Sequence, residues 1–298
     1  MSLPSGNENA FLGSLVGLAI GDALGLPVQG KEPTDIPPLE TYLEIAEGPD
    51  GEPAKGLISD RTEIALCLVE SLTTNDGELD PENINARMHF LTESATRTLM
   101  SETVVKNLDI AFEHEGLVPE GTGTELEASE AARGVVVGLM HSVGNANPDA
   151  LRADASIAAR LTHDDADSIA AVTYVAQVTE LAARYVDKDQ DWVIPQIGFS
   201  GPVADELVSI ANLAHRATAF EEVVLPVVRQ GGDAATMGAI AGGIAGARFG
   251  AAGLPQFLID DLDARIYLSM AAPWFYRTAM KRAGFAIDLR LIENEFPG

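Results

Sequence analysis

The sequence predicts an all-α protein, and three observations lead to that fold class. Apolar residues recur at helical spacing along most of the chain. No segment shows the sustained alternation of apolar and polar residues that is typical of a half-buried strand. The hydrophobic fraction is 46% while the aromatic fraction is only 6%, so Ala, Val, Leu and Ile must fill a core between closely packed helices.

The first predicted helix, 11–24, carries Gly13, Gly17 and Gly21 at every fourth position. Such a stripe lets a second helix approach closely. The segment is too short for a membrane span and contains Asp22, so the stripe indicates packing inside a core. From Gly25 to residue 56, six prolines predict a long loop, either a wall or lid over a pocket or a disordered insertion.

The rest of the chain reads as a succession of helices with capping residues or proline at several of their starts. The predicted helices are 60–73, 81–100, 102–114, 124–140, 148–160, 164–185, 202–216, 221–229, 233–249 and 262–281. No Ser/Gly linker or break in composition divides the chain, which predicts one domain over residues 1–298.

Charge and cysteine content limit the classes of partner. Forty-five acidic residues against nineteen basic ones give a formal charge of −26, which repels nucleic-acid phosphates and anionic membranes. We therefore expect neither a nucleic-acid nor a membrane partner. The lone Cys67 cannot form an internal disulfide and the N-terminus has no basic leader region, so we expect a cytoplasmic protein.

Two short polar segments, each at the start of an apolar helix, are the best candidates for a functional site. The first contains Ser59, Asp60 and Arg61; the second runs from Asp233 to Thr236. Carboxylate and hydroxyl oxygens are ligands that Mg²⁺ and Ca²⁺ prefer. The alternative is ordinary helix capping, which uses the same residue types. The Ala/Gly helix after Asp233 has no polar face, so its start should face the interior or a cleft.

Four segments resemble one family in their order and spacing: GLAIGDALG at 17–25, SDRT at 59–62, LTH at 161–163 and GGD at 231–233. The chain is similar to the ADP-ribosylglycohydrolases over roughly residues 10–256. The resemblance implies a compact orthogonal bundle of helices with a cleft that binds ADP-ribose. In active members two magnesium ions assist hydrolysis of the bond between the ribose and the modified side chain.

The chain departs from the pattern of active members at three acidic positions. Arg61 replaces a metal-binding Asp, Ala235 replaces an Asp that commonly contributes to both metals, and Gln29 replaces a carboxylate that serves in some members as acid or base. An arginine keeps its charge in proteins. We therefore expect the Arg61 guanidinium to take the place of a metal and to bridge Asp60 and Asp233 by charge-assisted hydrogen bonds.

The resemblance assigns a role to each remaining candidate. It implies catalytic roles for Asp60, Asp233 and Gln29. It implies contacts with the ligand for Asp22, Arg61, Gly121, Thr122, Gly123 and His163. Residual metal ligands are Ser59, Asp60, Asp233 and Thr236, which should hold no Mg²⁺ or one weakly bound ion.

Two of these assignments have alternatives. Gly121 to Gly123 stand where the family has a phosphate loop, but Glu125 and Glu127 follow, and they either oppose a diphosphate or turn to solvent. His163 either lies at the cleft or balances neighbouring acids at a helix start.

Three functions remain open at this point. The first is a relative that binds a ribosyl or ADP-ribosyl ligand with weak or no hydrolysis. The second is a hydrolase that acts on another riboside with Asp60 and Asp233 and little or no metal. The third is a structural oligomer that retains the bundle for stability alone. The sequence does not predict the number of subunits.

Overall fold

The computed structural model describes residues 7–38, 55–123, 128–186 and 192–285. In these ranges the chain forms twelve α-helices and no strand, which confirms the all-α class. The helices are α1 (Asn7–Gly25), α2 (Asp60–Thr74), α3 (Pro81–Leu91), α4 (Glu102–Phe112), α5 (Arg133–His141), α6 (Pro148–Arg160), α7 (Ala166–Arg184), α8 (Pro202–Arg216), α9 (Glu221–Val228), α10 (Ala234–Phe249), α11 (Gln256–Asp260) and α12 (Arg265–Arg282). Short 3-10 helices span Leu26–Val28, Pro33–Asp35, Ala95–Leu99, Ala128–Ala132 and Ala251–Gly253.

Helices α1 and α10 run antiparallel at the centre of the bundle and meet through glycines. Gly13, Gly17 and Gly21 of α1 face Gly246, Gly242 and Gly238 of α10, respectively. A Cβ atom on Gly21 would lie 1.8 Å from the carbonyl oxygen of Gly238, so a side chain has no room there. The predicted close approach is present, and its partner is the Ala/Gly helix.

Helix α1 is a core helix. The stretch Glu8–Val28 is long and apolar enough to cross a membrane by length and composition, but most of its residues are buried inside the protein. Besides α10 it packs against α12, where the rings of Phe11 and Phe275 have their centroids 5.3 Å apart. Burial among neighbouring helices accounts for its apolar composition.

Several predicted boundaries differ from the observed ones. The predicted helix 81–100 is broken after Leu91, because Thr92 and Ser94 turn their hydroxyl groups back to the carbonyls of His89 and Leu91. The predicted helix 124–140 begins as an α-helix only at Arg133, after a 3-10 turn. The predicted helix 262–281 begins at Arg265 and is preceded by the short α11. Half of the predicted loop or lid, residues 39–54, lies outside the described residues.

The start of α2 is fixed to α1 by one carboxylate. Asp22 accepts hydrogen bonds from the backbone N and Oγ of Ser59, at 2.8 and 2.6 Å, and from the backbone N and Oγ1 of Thr62, at 3.3 and 2.6 Å. Because α1 and α10 are antiparallel, the end of α1 also lies beside the start of α10. Three helix ends therefore converge at one place.

Candidate functional site

Asp22 lies behind the site and does not line it. The residue was predicted to contact the ligand, but it is fully buried and its carboxylate accepts the four hydrogen bonds just described. Burial raises the pKa of Asp22 although these hydrogen bonds act in the opposite direction. In this structure Asp22 positions the start of α2.

The guanidinium of Arg61 lies between the two candidate acids. Its Nη1 is 2.6 Å from Oδ1 of Asp60, and its Nη2 is 3.6 Å from Oδ1 of Asp233. The Nε donates to Oγ1 of Thr236 at 3.0 Å, and Nη1 also donates to the carbonyl of Leu99 at 3.3 Å. Arg61 thus lies between the two acids, but only half of the predicted bridge is a hydrogen bond. The contact with Asp60 is a hydrogen-bonded ion pair, whereas the contact with Asp233 is an ion pair that is too long for a hydrogen bond.

Burial and charge act against each other at this ion pair. Burial raises the pKa of Asp60 to about 6; the attraction of Arg61 lowers it and the nearby charge of Asp22 raises it. Burial opposes the charge on Arg61, but the three acids Asp60, Asp233 and Asp22 outweigh burial and raise its pKa. The guanidinium is therefore a permanent cation in the site.

Gln29 fixes the other side of Asp233. Its Nε2 donates to Oδ1 of Asp233 at 2.8 Å, and its Oε1 accepts from the backbone N of Ala235 at 2.8 Å. The amide bridges the chain after α1 to the start of α10. A carboxylate at position 29 could accept the bond from Ala235 but could not donate to Asp233.

Helix capping explains one of the two polar segments but not the other. Ser59 caps α2, since its Oγ accepts from the backbone N of Arg61 at 3.3 Å while it donates to Asp22. Asp233 stands at the N-cap position of α10, yet its side chain makes no capping hydrogen bond. The carboxylate of Asp233 is instead directed to Arg61 and Gln29, and its side chain is 35% exposed. Thr236 is fully buried behind it.

These groups open onto a cavity of about 380 Å³, which we call the Arg61 cavity. The lining residues are Gln29, Asp60, Arg61, Ser101, Val104, Ala128, Ser129, Val203, Glu206, Asp233 and Met237. A larger cavity, of about 700 Å³, lies beside Leu57 and Thr98 but has only Glu63 and Asp263 as charged lining residues. A further cavity, of about 600 Å³, also has charged lining residues, among them Glu70 and Arg87. The Arg61 cavity is singled out because residues of both polar segments, Asp60, Arg61 and Asp233, line it together.

The remaining ligand-binding candidates are not among the lining residues. The backbone N of Gly121 donates to Oδ2 of Asp164 at 3.2 Å, and the carbonyl of Thr122 accepts from the backbone N of Asp164 at 2.9 Å. Gly123 packs against His163, which is fully buried with its Nδ1 2.8 Å from Oγ1 of Thr162.

His163 is not among the described residues that line the Arg61 cavity. Its Nδ1 lies 4.0 Å from Oε2 of Glu130, which is also fully buried. Glu125 and Glu127 lie outside the described residues.

Seven lining residues were not found from the sequence: Ser101, Val104, Ala128, Ser129, Val203, Glu206 and Met237. Most of them come from the start of α4, the 3-10 turn before α5 and the first turn of α8. Nothing in their local spacing distinguishes Glu206 from other exposed acids on helices. Only the packing of α8 against α10 brings it to the cavity.

The fold and the site define an all-α protein with a polar cavity at the meeting point of three helix ends. The chain belongs to the ADP-ribosylglycohydrolase family, whose sequence pattern matches residues 4–194 and 177–284.

Relatives match nearly the whole chain. An ADP-ribosyl-[dinitrogen reductase] glycohydrolase of Rhodospirillum rubrum is 27% identical over 89% of this chain and 94% of its own length. An uncharacterized protein of Archaeoglobus fulgidus is also 27% identical, over 92% of this chain and 98% of its own. A solved structure described as an ADP-ribosylglycohydrolase-related protein complex superposes with a TM-score of 0.72 at 26% identity, covering 92% of this chain and 99% of that one.

Proposed function

We propose that this protein binds a ribosyl or ADP-ribosyl ligand in the Arg61 cavity and hydrolyses it weakly or not at all. One observation carries the proposal: the guanidinium of Arg61 occupies the space between Asp60 and Asp233. Membership of the family supports the ribosyl class of ligand. The name of the Rhodospirillum rubrum relative, a glycohydrolase of ADP-ribosyl-[dinitrogen reductase], supports it further.

The donor atoms of the site do not fit two magnesium ions. Two adjacent dications need several carboxylates to neutralise them, and Asp60 and Asp233 supply two that Arg61 already engages. The Oγ of Ser59 donates to Asp22, and Oγ1 of Thr236 accepts from Arg61. A single ion would have to displace the guanidinium, which makes weak binding the most that we expect.

The chemistry left to the site is that of a cation, two acids and an amide. A guanidinium can donate hydrogen bonds to ligand oxygens, but it cannot turn a bound water into hydroxide as a metal can. The Asp233 carboxylate, one-third exposed, is placed to accept a hydrogen bond from a sugar hydroxyl. Binding without rapid turnover follows from this set.

A second candidate is hydrolysis of another riboside without metal. Asp60 and Asp233 line the same cavity, and glycosidic hydrolysis requires one carboxyl group as acid and one carboxylate as base or nucleophile. With a pKa of about 6, Asp60 carries a proton in part of the molecules near neutral pH. This candidate predicts release of the group attached to ribose, and the rate should fall as the pH rises above about 6.

The test combines a turnover assay with calorimetry. The protein is incubated with an ADP-ribosyl-arginine peptide and with simple ribosides, with and without Mg²⁺, and titrated with ADP-ribose and adenosine. We expect heat of binding with at least one ribosyl compound, and a loss of that heat in Arg61→Met.

Arg152→Met is the matched control, because Arg152 forms an exposed ion pair with Asp149 on α6, a helix that contributes no described lining residue to the cavity. Mg²⁺-dependent release of ADP-ribose would overturn the proposal. Turnover of a riboside alone would favour the second candidate, and the absence of all binding would leave the structural oligomer.

A further inference from the structure

The charges that face the Arg61 cavity are mainly negative. Among the described lining residues Arg61 is the one cation, whereas Asp60, Asp233 and Glu206 are acids. Arg61 is already paired with two of these acids. Glu206 is exposed on α8 and adds a third carboxylate to the same wall. The cavity therefore has no cation left for an anionic ligand.

Two helix starts at the cavity each have a backbone amide that is already engaged. The start of a helix is a common phosphate site, because its first amides lack partners within the helix. At α10, however, the backbone N of Ala235 donates to Oε1 of Gln29, and at α2 the backbone N of Arg61 donates to Oγ of Ser59. A phosphate group in this cavity would meet three carboxylates and displace hydrogen bonds that already exist.

The uncharged part of the wall suits a sugar. Val104, Ala128, Val203 and Met237 provide apolar surface for the carbon face of a ring. Ser129 also lines the cavity, and its Oγ is a buried hydroxyl oxygen with no hydrogen-bond partner among the described residues. A buried hydroxyl without a partner is unfavourable unless a ligand or water completes it. A ligand hydroxyl group would complete it.

From these observations we propose that the Arg61 cavity selects ribosyl compounds without a phosphate group, such as a nucleoside or an alkyl riboside, over ADP-ribose. This inference rests on the proposed function, since it names the class of ligand for the same site. The carboxylates of Glu206 and Asp233 exclude the diphosphate by like charge, and Ser129 hydrogen-bonds a hydroxyl of the sugar.

Two matched pairs of ligands test the inference by calorimetry: adenosine against AMP, and methyl ribofuranoside against ribose 5-phosphate. ADP-ribose is titrated alongside them, in about 20 mM and about 300 mM salt. We expect each phosphate-free compound to bind at least about tenfold more tightly than its phosphorylated counterpart at low salt. The difference should shrink at high salt, because screening weakens repulsion between charges.

Two variants on α8 locate the repulsion. Glu206→Gln removes a charge from the wall, so it should strengthen AMP and ribose 5-phosphate binding about three- to tenfold at low salt and change adenosine binding by less than about twofold. Asp205→Asn removes an exposed charge from the neighbouring residue, which does not line the cavity, and should change neither. Ser129→Ala should weaken all four compounds, because the loss concerns the sugar that they share.

The outcomes separate the two proposals. If ADP-ribose or AMP binds more tightly than adenosine, the inference is overturned while the proposed function stands. Equal gains in AMP affinity from Glu206→Gln and Asp205→Asn would also overturn it, since the effect would then be one of net charge. If none of the five compounds binds, the proposed function itself fails, and this inference with it.

Discussion

Replacing Arg61 by methionine should destabilise the protein in a way that grows with pH. The variant keeps a long unbranched side chain but leaves Asp60, whose side chain is only 4% exposed, without its cation. Breaking a buried ion pair by removing one partner costs about 3–5 kcal/mol when the remaining group stays charged. Asp60 can avoid part of this cost by taking up a proton, so the effect depends on pH.

The size and sign follow from the pKa of Asp60. Folding raises this pKa from 3.8 to about 6, so in the native protein the contribution of Asp60 is most favourable at low pH and is lost as the pH rises from about 4 to 6. Without the attraction of Arg61 the pKa moves higher and the loss continues above pH 6. Each further pH unit adds about 1.4 kcal/mol, which amounts to about 2–3 kcal/mol by pH 8.

Urea unfolding of both proteins at pH 5, 6, 7 and 8 measures this difference. We expect a gap of about 1 kcal/mol at pH 5, from the hydrogen bonds that Arg61 makes to Thr236 and Leu99, and a wider gap at each higher pH. The double variant Arg61→Met/Asp60→Asn should lose the pH-dependent part. Arg97→Met, which breaks an exposed pair, should change stability by less than about 1 kcal/mol throughout. A gap that stays constant from pH 5 to 8 would refute the reasoning.

Three further changes have defined outcomes. Gly21→Ala should destabilise by at least about 3 kcal/mol in chemical denaturation, because its Cβ would overlap the backbone of Gly238. Gly198→Ala, whose Cβ would lie 3.7 Å from Cβ of Ala170, should be nearly neutral, and equal effects of the two changes would contradict the glycine contact. Asp22→Asn should lower the free energy of unfolding by about 2–3 kcal/mol, because the new amide nitrogen would face a hydrogen-bond donor. A variant of unchanged stability but altered ligand affinity would instead indicate that Asp22 contacts the ligand. Burial raises the pKa of Glu130 to about 7 in the folded protein, so the stability that this group contributes is lost as the pH rises from about 4.5 to 7. Glu130→Gln should therefore be more stable than the parent at pH 8 by about 1–3 kcal/mol in thermal or urea unfolding, and no gain would mean that the carboxylate is better stabilised than its burial indicates.

The fold and the centre of the site were predictable because local sequence signals agree with the tertiary structure. Glycines at every fourth position predicted a close helix contact, although the sequence could not say that the partner was α10. The presence of Arg61 in place of an acid predicted that its guanidinium lies between Asp60 and Asp233, because a cation in that site is attracted to both acids. The helical segments were predicted in type, but their ends were not; after Leu91 the helix ends because the hydroxyl groups of Thr92 and Ser94 turn back to backbone carbonyls.

Other parts of the site could not be predicted, because they depend on the direction in which a side chain points. Asp22 belongs to a family motif, yet it faces inward to Ser59 and Thr62 and not to the cavity. Glu206 lacks any motif, yet the packing of α8 places it on the wall. A sequence gives residue types and spacing, but lining a cavity is a property of several helices together.

Magnesium titration of the protein and of a variant with restored acids tests most directly whether Arg61 has taken the place of a metal. Isothermal calorimetry is carried out on the native chain, on Arg61→Asp/Ala235→Asp, and on Arg61→Asn/Ala235→Asn as a control of equal size without the charges. We expect no tight Mg²⁺ binding to the native chain or the control, and measurable binding to the acidic variant, because its site would then hold four carboxylates. Tight binding of two ions to the native chain, or no gain in a folded acidic variant, would contradict that replacement.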